Sequence, residues 1–172
     1  MVGKARRGVG VLLAAAAAVG VTWSVWAAGT VAERASLKGV KPIRAAVEKL
    51  RPDVVSDGLD VSRLRTVMDA RLRAAGVPAH RNAPNDLLLV VSTSPQKDGM
   101  YAVHLHLELR QLVALFHEFI RDPESRGMAA TWRTSWIGIL KTDELKQVEP
   151  ELAKLVDQFT ADWHIGNRGR RP

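Results

Sequence analysis

Two histidines and a glutamate occupy alternate positions in the middle of the chain, as His104, His106 and Glu108. Alternate residues of a β-strand point to the same face, so this spacing directs two imidazoles and a carboxylate to one side. Zn²⁺ and Cu²⁺ both accept such ligands. On a straight strand, however, these residues stand about 6.5–7 Å apart, too far for three of them to chelate one ion unaided. The pattern therefore predicts a solvated sheet face, with a metal site at these three residues as the alternative.

The signatures of common catalytic sites are missing from the sequence. His117-Glu118 begins like a zinc-protease helix motif, but Arg121 stands where that motif needs its second histidine. No nucleophile elbow, P-loop or dinucleotide-binding glycine motif occurs. Cysteine is absent, which excludes disulfides, thiolate metal sites and a cysteine-linked lipid anchor. These observations favour a non-enzymatic protein without a cofactor, and an exported hydrolase is the weakest alternative.

The amino terminus has the three parts of an export signal. A basic region, an apolar run and a small-residue cleavage site follow one another: Lys4, Arg6 and Arg7, then 9–21, then Val25 and Ala27. We therefore expect residues 1–27 to be a signal peptide that is removed from a periplasmic or secreted protein. The alternative is an uncleaved inner-membrane anchor, because the uncharged stretch Gly8–Ala32 is long enough to span a bilayer. Both interpretations place the rest of the chain outside the cytoplasm.

The formal charge of +7 comes mostly from the two ends of the chain. Three of the 25 Lys and Arg residues precede Gly8, and three more, Arg168, Arg170 and Arg171, lie in the last residues. Because binding to nucleic acid needs a concentrated basic face, we predict no nucleic-acid partner. Residues 167–172 are predicted to form a disordered basic tail. This tail (Arg168–Arg171) and an uncleaved Met1–Ala27 are the two segments expected to contact a membrane.

Between these ends, the hydropathy pattern predicts a linker over residues 28–36 and one domain over 37–166. The expected strands are 37–50, 86–93, 101–110 and 129–140, and the expected helices are 61–75 and a closing helix from Thr142 to Trp163. Consecutive strands joined by short turns imply antiparallel pairing. The order strand–helix–strand–strand–strand–helix indicates an α+β fold, a two-layer sandwich in which two helices cover one face of a mostly antiparallel four-stranded sheet.

Two local patterns refine this prediction. Asp98-Gly99 is typical of a hairpin turn. The strict alternation of apolar residues along Tyr101–Arg110 breaks near Arg110-Gln111, which predicts a β-bulge there. Beyond the bulge, the apolar role is expected to pass to Leu112, Ala114 and Phe116.

Three tryptophans admit two interpretations. Trp132 and Trp136 share a strand face, and Trp163 ends the apolar stripe of the closing helix. This spacing favours packing in the core over a groove that binds a ligand. A sheet edge near Pro42 or along the last strand is expected to be open to the addition of a partner's strand.

Several segments resemble a group of small exported bacterial proteins of unknown function. The shared pattern is an L-K-G strand within Leu37–Glu48, a G-L helix within Gly58–Gly76 that ends in L-R-x-A-G, and an A-T-W strand at Thr131-Trp132. This resemblance implies no activity. The order of elements is also similar, at the level of fold, to the outer-membrane lipoprotein of lipopolysaccharide transport and to the amino-terminal domains of Tol-type translocation proteins.

Together these patterns predict an exported, non-enzymatic envelope protein that binds or assembles with another envelope component. The partner is expected to be a protein of the envelope. The alternative is a periplasmic metal- or small-ligand-binding protein that uses His104, His106 and Glu108.

Overall fold

The computed structural model describes residues 30–114 and 125–168. The helices are α1 (Val31–Ser36), α2 (Pro52–Ser56), α3 (Val61–Ala74) and α4 (Val148–Gly166). The strands are β1 (Ile43–Val47), β2 (Asn85–Pro95), β3 (Met100–Ala114) and β4 (Arg126–Lys141). Some sequence predictions lie outside the described residues: the signal peptide at 1–27, Phe116, the His117-Glu118 motif and the tail beyond Arg168.

The strands form one sheet in the order β1-β2-β3-β4, which confirms the α+β fold. β2, β3 and β4 pair antiparallel, as the short connections predict. β1 runs parallel to β2, because the chain passes through α2 and α3 before it returns to the sheet. The two predicted helices correspond to α3 and α4, and the short helices α1 and α2 are additions that the sequence analysis does not predict.

The core lies between one face of the sheet and the helices. Its buried side chains alternate along the strands and follow helical spacing in α3 and α4: Leu87, Leu89, Leu105, Leu107, Leu109, Trp132, Leu64, Met68, Leu72, Leu152, Val156 and Phe159. The Trp132 and Phe159 rings meet edge to face with centroids 5.0 Å apart. The Trp163 indole packs partly buried against this core and donates to the carbonyl oxygen of Val40 at 2.9 Å. Core packing of the tryptophans is therefore confirmed.

The predicted linker at 28–36 is wrong where the structure describes it, because α1 begins at Val31. The Thr30 hydroxyl accepts from the Glu33 N–H at 3.2 Å, and the Glu33 carboxylate accepts from the Thr30 N–H at 2.7 Å. This reciprocal cap satisfies two donors of a short helix. The Ser36 hydroxyl then donates to the carbonyl oxygen of Thr131 in β4 at 2.9 Å, so α1 is joined to the domain.

The predicted disorder of the tail is also wrong at its first residue. The Asn167 side-chain amide donates to the carbonyl oxygen of Leu37 at 3.0 Å, and its oxygen accepts from the Gly39 N–H at 2.8 Å. The end of α4 is therefore fixed to the loop that follows α1. Among the described residues, no helix has the length and apolar composition required to cross a bilayer.

The predicted hairpin and bulge are both present, with one correction. Asp98 and Gly99 have φ of 62° and 68°, the left-handed conformation that a tight hairpin requires. The register shifts between Leu109 and Arg110, where Leu109 pairs with Trp132 and Arg110 with Ala130. The extra residue is thus Thr131 in β4. Because β3 keeps its own alternation, the predicted change of phase is wrong, and both Leu112 and Ala114 are exposed.

The predicted closing helix consists of two segments of different helix type. Residues Thr142–Gln147 form a 3₁₀ helix, and the α-helix begins at Val148. Pro150 therefore lies in the first turn of α4, where its missing N–H breaks no intrahelical hydrogen bond. The two helix types meet between Gln147 and Val148, just before Pro150.

Candidate functional site

The outer face of the sheet, which points away from α3 and α4, carries the residues singled out for chemistry. His104, His106 and Glu108 alternate with the buried leucines of β3 and so share this face. The register places His104 beside Ile137, His106 beside Ser135 and Glu108 beside Arg133 of β4. The antiparallel pairing thus adds side chains from β4 to a pattern that the sequence shows only along one strand.

Glu108 is the most buried polar residue of the outer face, at 8% exposure. Its Oε1 accepts from Arg110 Nε at 2.6 Å, and its Oε2 lies 3.2 Å from His106 Nε2. Both carboxylate oxygens therefore have a nitrogen partner on the same strand. The guanidinium of Arg110, two residues along, is a partner that the spacing of the two histidines and the glutamate does not reveal.

The three candidate ligands do not converge on one point. The His104 and His106 ring centroids are 5.9 Å apart, with the ring planes tilted by 47°. Glu108 is bonded to Arg110, which follows it along β3, away from the two histidines. Within residues 30–114 and 125–168, no three His, Asp or Glu side chains are grouped as metal ligands. Both oxygens of the carboxylate are already engaged, one by Arg110 and one by His106, and metal binding at these residues stays a hypothesis.

His104 differs electrostatically from an exposed imidazole. Burial lowers its pKa below the usual 6.5, and the neighbouring His106 lowers it further. The neutral ring therefore persists to lower pH. His104 and His106 border a shallow depression of about 410 Å³ that is also lined by Glu33 and Arg133.

Ile137 and Ile139 form an apolar patch on the outer face of β4, with 61% and 63% of each residue exposed. Ile137 also lines a small depression of about 230 Å³ with Ala102 and His104. The sequence contains a signal for this patch, because these two isoleucines alternate with the inward residues Trp136 and Leu140. The patch was not among the features predicted from the sequence.

Comparison with known proteins adds no assignment. No protein-family model and no curated protein matches the sequence. A solved structure that resembles the chain is the dodecamer of a PelC variant from Paraburkholderia phytofirmans. The two chains are 17% identical, the match covers 69% of this chain and 85% of that one, and the TM-score is 0.40. A likeness at this level carries no argument about the fold or the function of this chain.

Proposed function

We propose that the chain is an exported, non-enzymatic module that binds another protein of the cell envelope through β4. The observation that carries this proposal is the exposure of Ile137 and Ile139, at alternate positions of a strand at the edge of the sheet. Contiguous exposed apolar patches with polar neighbours mark interaction surfaces. The three-part amino-terminal signal supports export.

The position of the apolar patch favours an extended segment as the partner. Among the described residues, β4 pairs with β3 and with no other strand. Helix α1 lies against β4 at Thr131, so the stretch proposed for a further strand is the one that carries Ile137 and Ile139. An added strand gains main-chain hydrogen bonds from the edge and contacts alternate side chains on one face. Ile137 and Ile139 offer that period-two contact. Near Pro42, by contrast, the other edge is occupied, because the Ile43 N–H and carbonyl bond to Pro78 and His80.

Site-specific photo-crosslinking in the intact envelope tests the proposal. The crosslinking residue replaces Ile137 in one variant and Val55 in the control, an exposed apolar residue on α2 at 49% exposure. We expect a discrete adduct from position 137 that is absent from position 55. A second substitution, Ile139→Lys, should remove that adduct by placing a charge on the edge.

Three outcomes would contradict the proposal. The first is recovery of the protein alone from position 137, and the second is the same adducts from both positions. The third is an adduct of twice the chain's own mass, which would assign the surface to self-association. Separately, amino-terminal sequencing of the exported protein should begin at Ala28, and an intact Met1 would reject cleavage.

A further inference from the structure

The arginines of α3 fall into two pairs with different surroundings. Arg63 and Arg71 pair with acidic residues of α4, at 3.1 Å from Glu149 and 3.3 Å from Asp157. Arg65 and Arg73 have the same eight-residue separation but face the other way. Within the part of the chain that the structure describes, these two guanidiniums form no ion pair.

Arg65 and Arg73 line a groove of about 690 Å³ between α3, β1 and the loop before β2. Arg81 in that loop adds a third guanidinium without an ion pair among the described residues, and Arg44 of β1 adds a fourth. The Arg44 guanidinium is held by Asp86 through two contacts of 2.6 Å. Arg44 is therefore already paired, and against the three guanidiniums that have no ion pair among the described residues the groove lining contains a single carboxylate, Asp69.

Neutral donors in the groove add to this charge. The His80 Nδ1 accepts from the Asn82 N–H at 3.2 Å, which leaves the proton of a neutral imidazole on Nε2. His80 therefore offers the groove a donor. The groove also reaches Ala45 of β1, whose side chain is buried in the core. Since Ile43 directs its backbone groups away from β2, Ala45, two residues later, directs its own N–H to the same side.

We propose that this groove binds a phosphoryl group carried by a small organic molecule. Guanidiniums bind phosphate oxygens through paired hydrogen bonds. Several guanidiniums around one polar groove can compensate the negative charge of a phosphoryl group. The volume is within the range of about 300–1,000 Å³ typical of small-molecule sites and is larger than an isolated phosphate requires. This site is on the opposite edge of the sheet from Ile137, so it does not depend on the function proposed for β4.

Titration calorimetry at low and at raised salt tests the site with three probes. These are inorganic phosphate, a hexose phosphate compared with the free hexose, and vesicles of phosphatidylcholine with phosphatidylglycerol compared with phosphatidylcholine alone. We expect the hexose phosphate to bind more tightly than inorganic phosphate, with affinity that falls as salt rises. Binding to the anionic vesicles alone would assign the phosphoryl group to a lipid headgroup, provided that the variants below weaken it.

Matched variants attribute the binding to this groove. The pair Arg65→Gln and Arg73→Gln should lower the affinity by about tenfold or more, because the variant loses two charge-assisted hydrogen bonds to the phosphoryl oxygens. The control pair Arg63→Gln and Arg71→Gln has the same helix, spacing and charge change and should leave the affinity unchanged. Asp69→Asn should raise the affinity by about threefold, because it removes the one repulsive carboxylate.

The gain expected from Asp69→Asn cannot arise from a damaged fold. Failure of all three probes to bind would overturn the proposal. Equal losses from the two arginine pairs would also overturn it, since they would show attraction to the overall charge only. Lower affinity for Asp69→Asn would likewise contradict the assigned geometry.

Discussion

Two buried carboxylates lie on opposite sides of the sheet and are held in different ways. Asp162 on the helix side is 5% exposed and accepts from Trp132 Nε1 at 3.0 Å and from Arg34 Nε at 2.9 Å. Glu108 on the outer face is 8% exposed, and its polar partners within the described residues are His106 and Arg110 of its own strand. Asp162 therefore joins α1, β4 and α4, whereas Glu108 joins no two elements. The comparison suggests that similar burial corresponds to different contributions to stability.

The largest effect is expected from Asp162→Ala. This change leaves the buried indole N–H of Trp132 without its acceptor and removes the contact that holds α1 through Arg34. We expect a loss of about 3 kcal/mol in the free energy of unfolding, measured by urea denaturation. The control is Asp157→Ala on the same helix, whose single ion pair is exposed and should contribute less than about 1 kcal/mol. Equal losses from the two variants would refute the role of Asp162.

The helix side of the sheet is also sensitive to added volume. A Cβ at Gly138 would overlap the Trp136 ring, whereas a Cβ at Gly127 in the same strand meets nothing within 4 Å. We expect Gly138→Ala to destabilise the protein by about 2 kcal/mol because the buried indole has to move. Gly127→Ala should be close to neutral, as shown by the melting temperatures of both variants. A neutral Gly138→Ala would mean that Trp136 packs loosely.

Glu108→Gln tests the outer side of the same comparison. Both partners of Glu108 retain access to water, with 46% of the Arg110 side chain and 28% of the His106 side chain exposed. They can therefore be solvated when the carboxylate is lost, and we expect about 1 kcal/mol or less of destabilisation. Urea denaturation of Glu108→Gln beside Asp162→Ala measures the difference between the two sides. If Glu108→Gln lowered the free energy of unfolding as much as Asp162→Ala, the proposed difference between the two sides of the sheet would be wrong.

The same contrast explains what could be predicted from the sequence. Elements that local sequence signals determine could be predicted, such as α3 after the Asp60 cap and the hairpin at Asp98-Gly99. The alternation of β3 also identified its inner and outer faces. The Asp162 cluster was not predictable, because its partners are 30 and 128 residues away in the chain and no periodic pattern connects them.

Short elements and the candidate sites were harder to predict for related reasons. Helix α1 is only 6 residues long, so its apolar periodicity is weak, and its stability depends on the Thr30 cap and on Asp162. His104, His106 and Glu108 were placed correctly on one face, but nothing in the sequence indicated that Arg110 bonds to Glu108. The sequence alone does not bring the groove arginines together, and only the fold shows that Arg81 and Arg44 lie beside Arg65 and Arg73.

The smallest effect concerns Tyr101, whose hydroxyl crosses 44 residues of sequence to donate to Asp57 Oδ2 at 2.6 Å. This hydrogen bond raises the tyrosine pKa above 10, and burial raises it further. Since the folded state holds the phenol proton more tightly than the unfolded chain, this stabilisation is complete below pH 10 and is lost as pH rises through the folded pKa.

Tyr101 is the only tyrosine, so tyrosinate absorbance during alkaline titration reports this group alone. We expect Asp57→Asn to lower the midpoint and Asp60→Asn, which keeps a helix cap, to leave it unchanged. Identical midpoints for the native protein and Asp57→Asn would show that this contact to the end of α2 does not form in solution, and that the helix side is less tightly connected than Asp162 suggests.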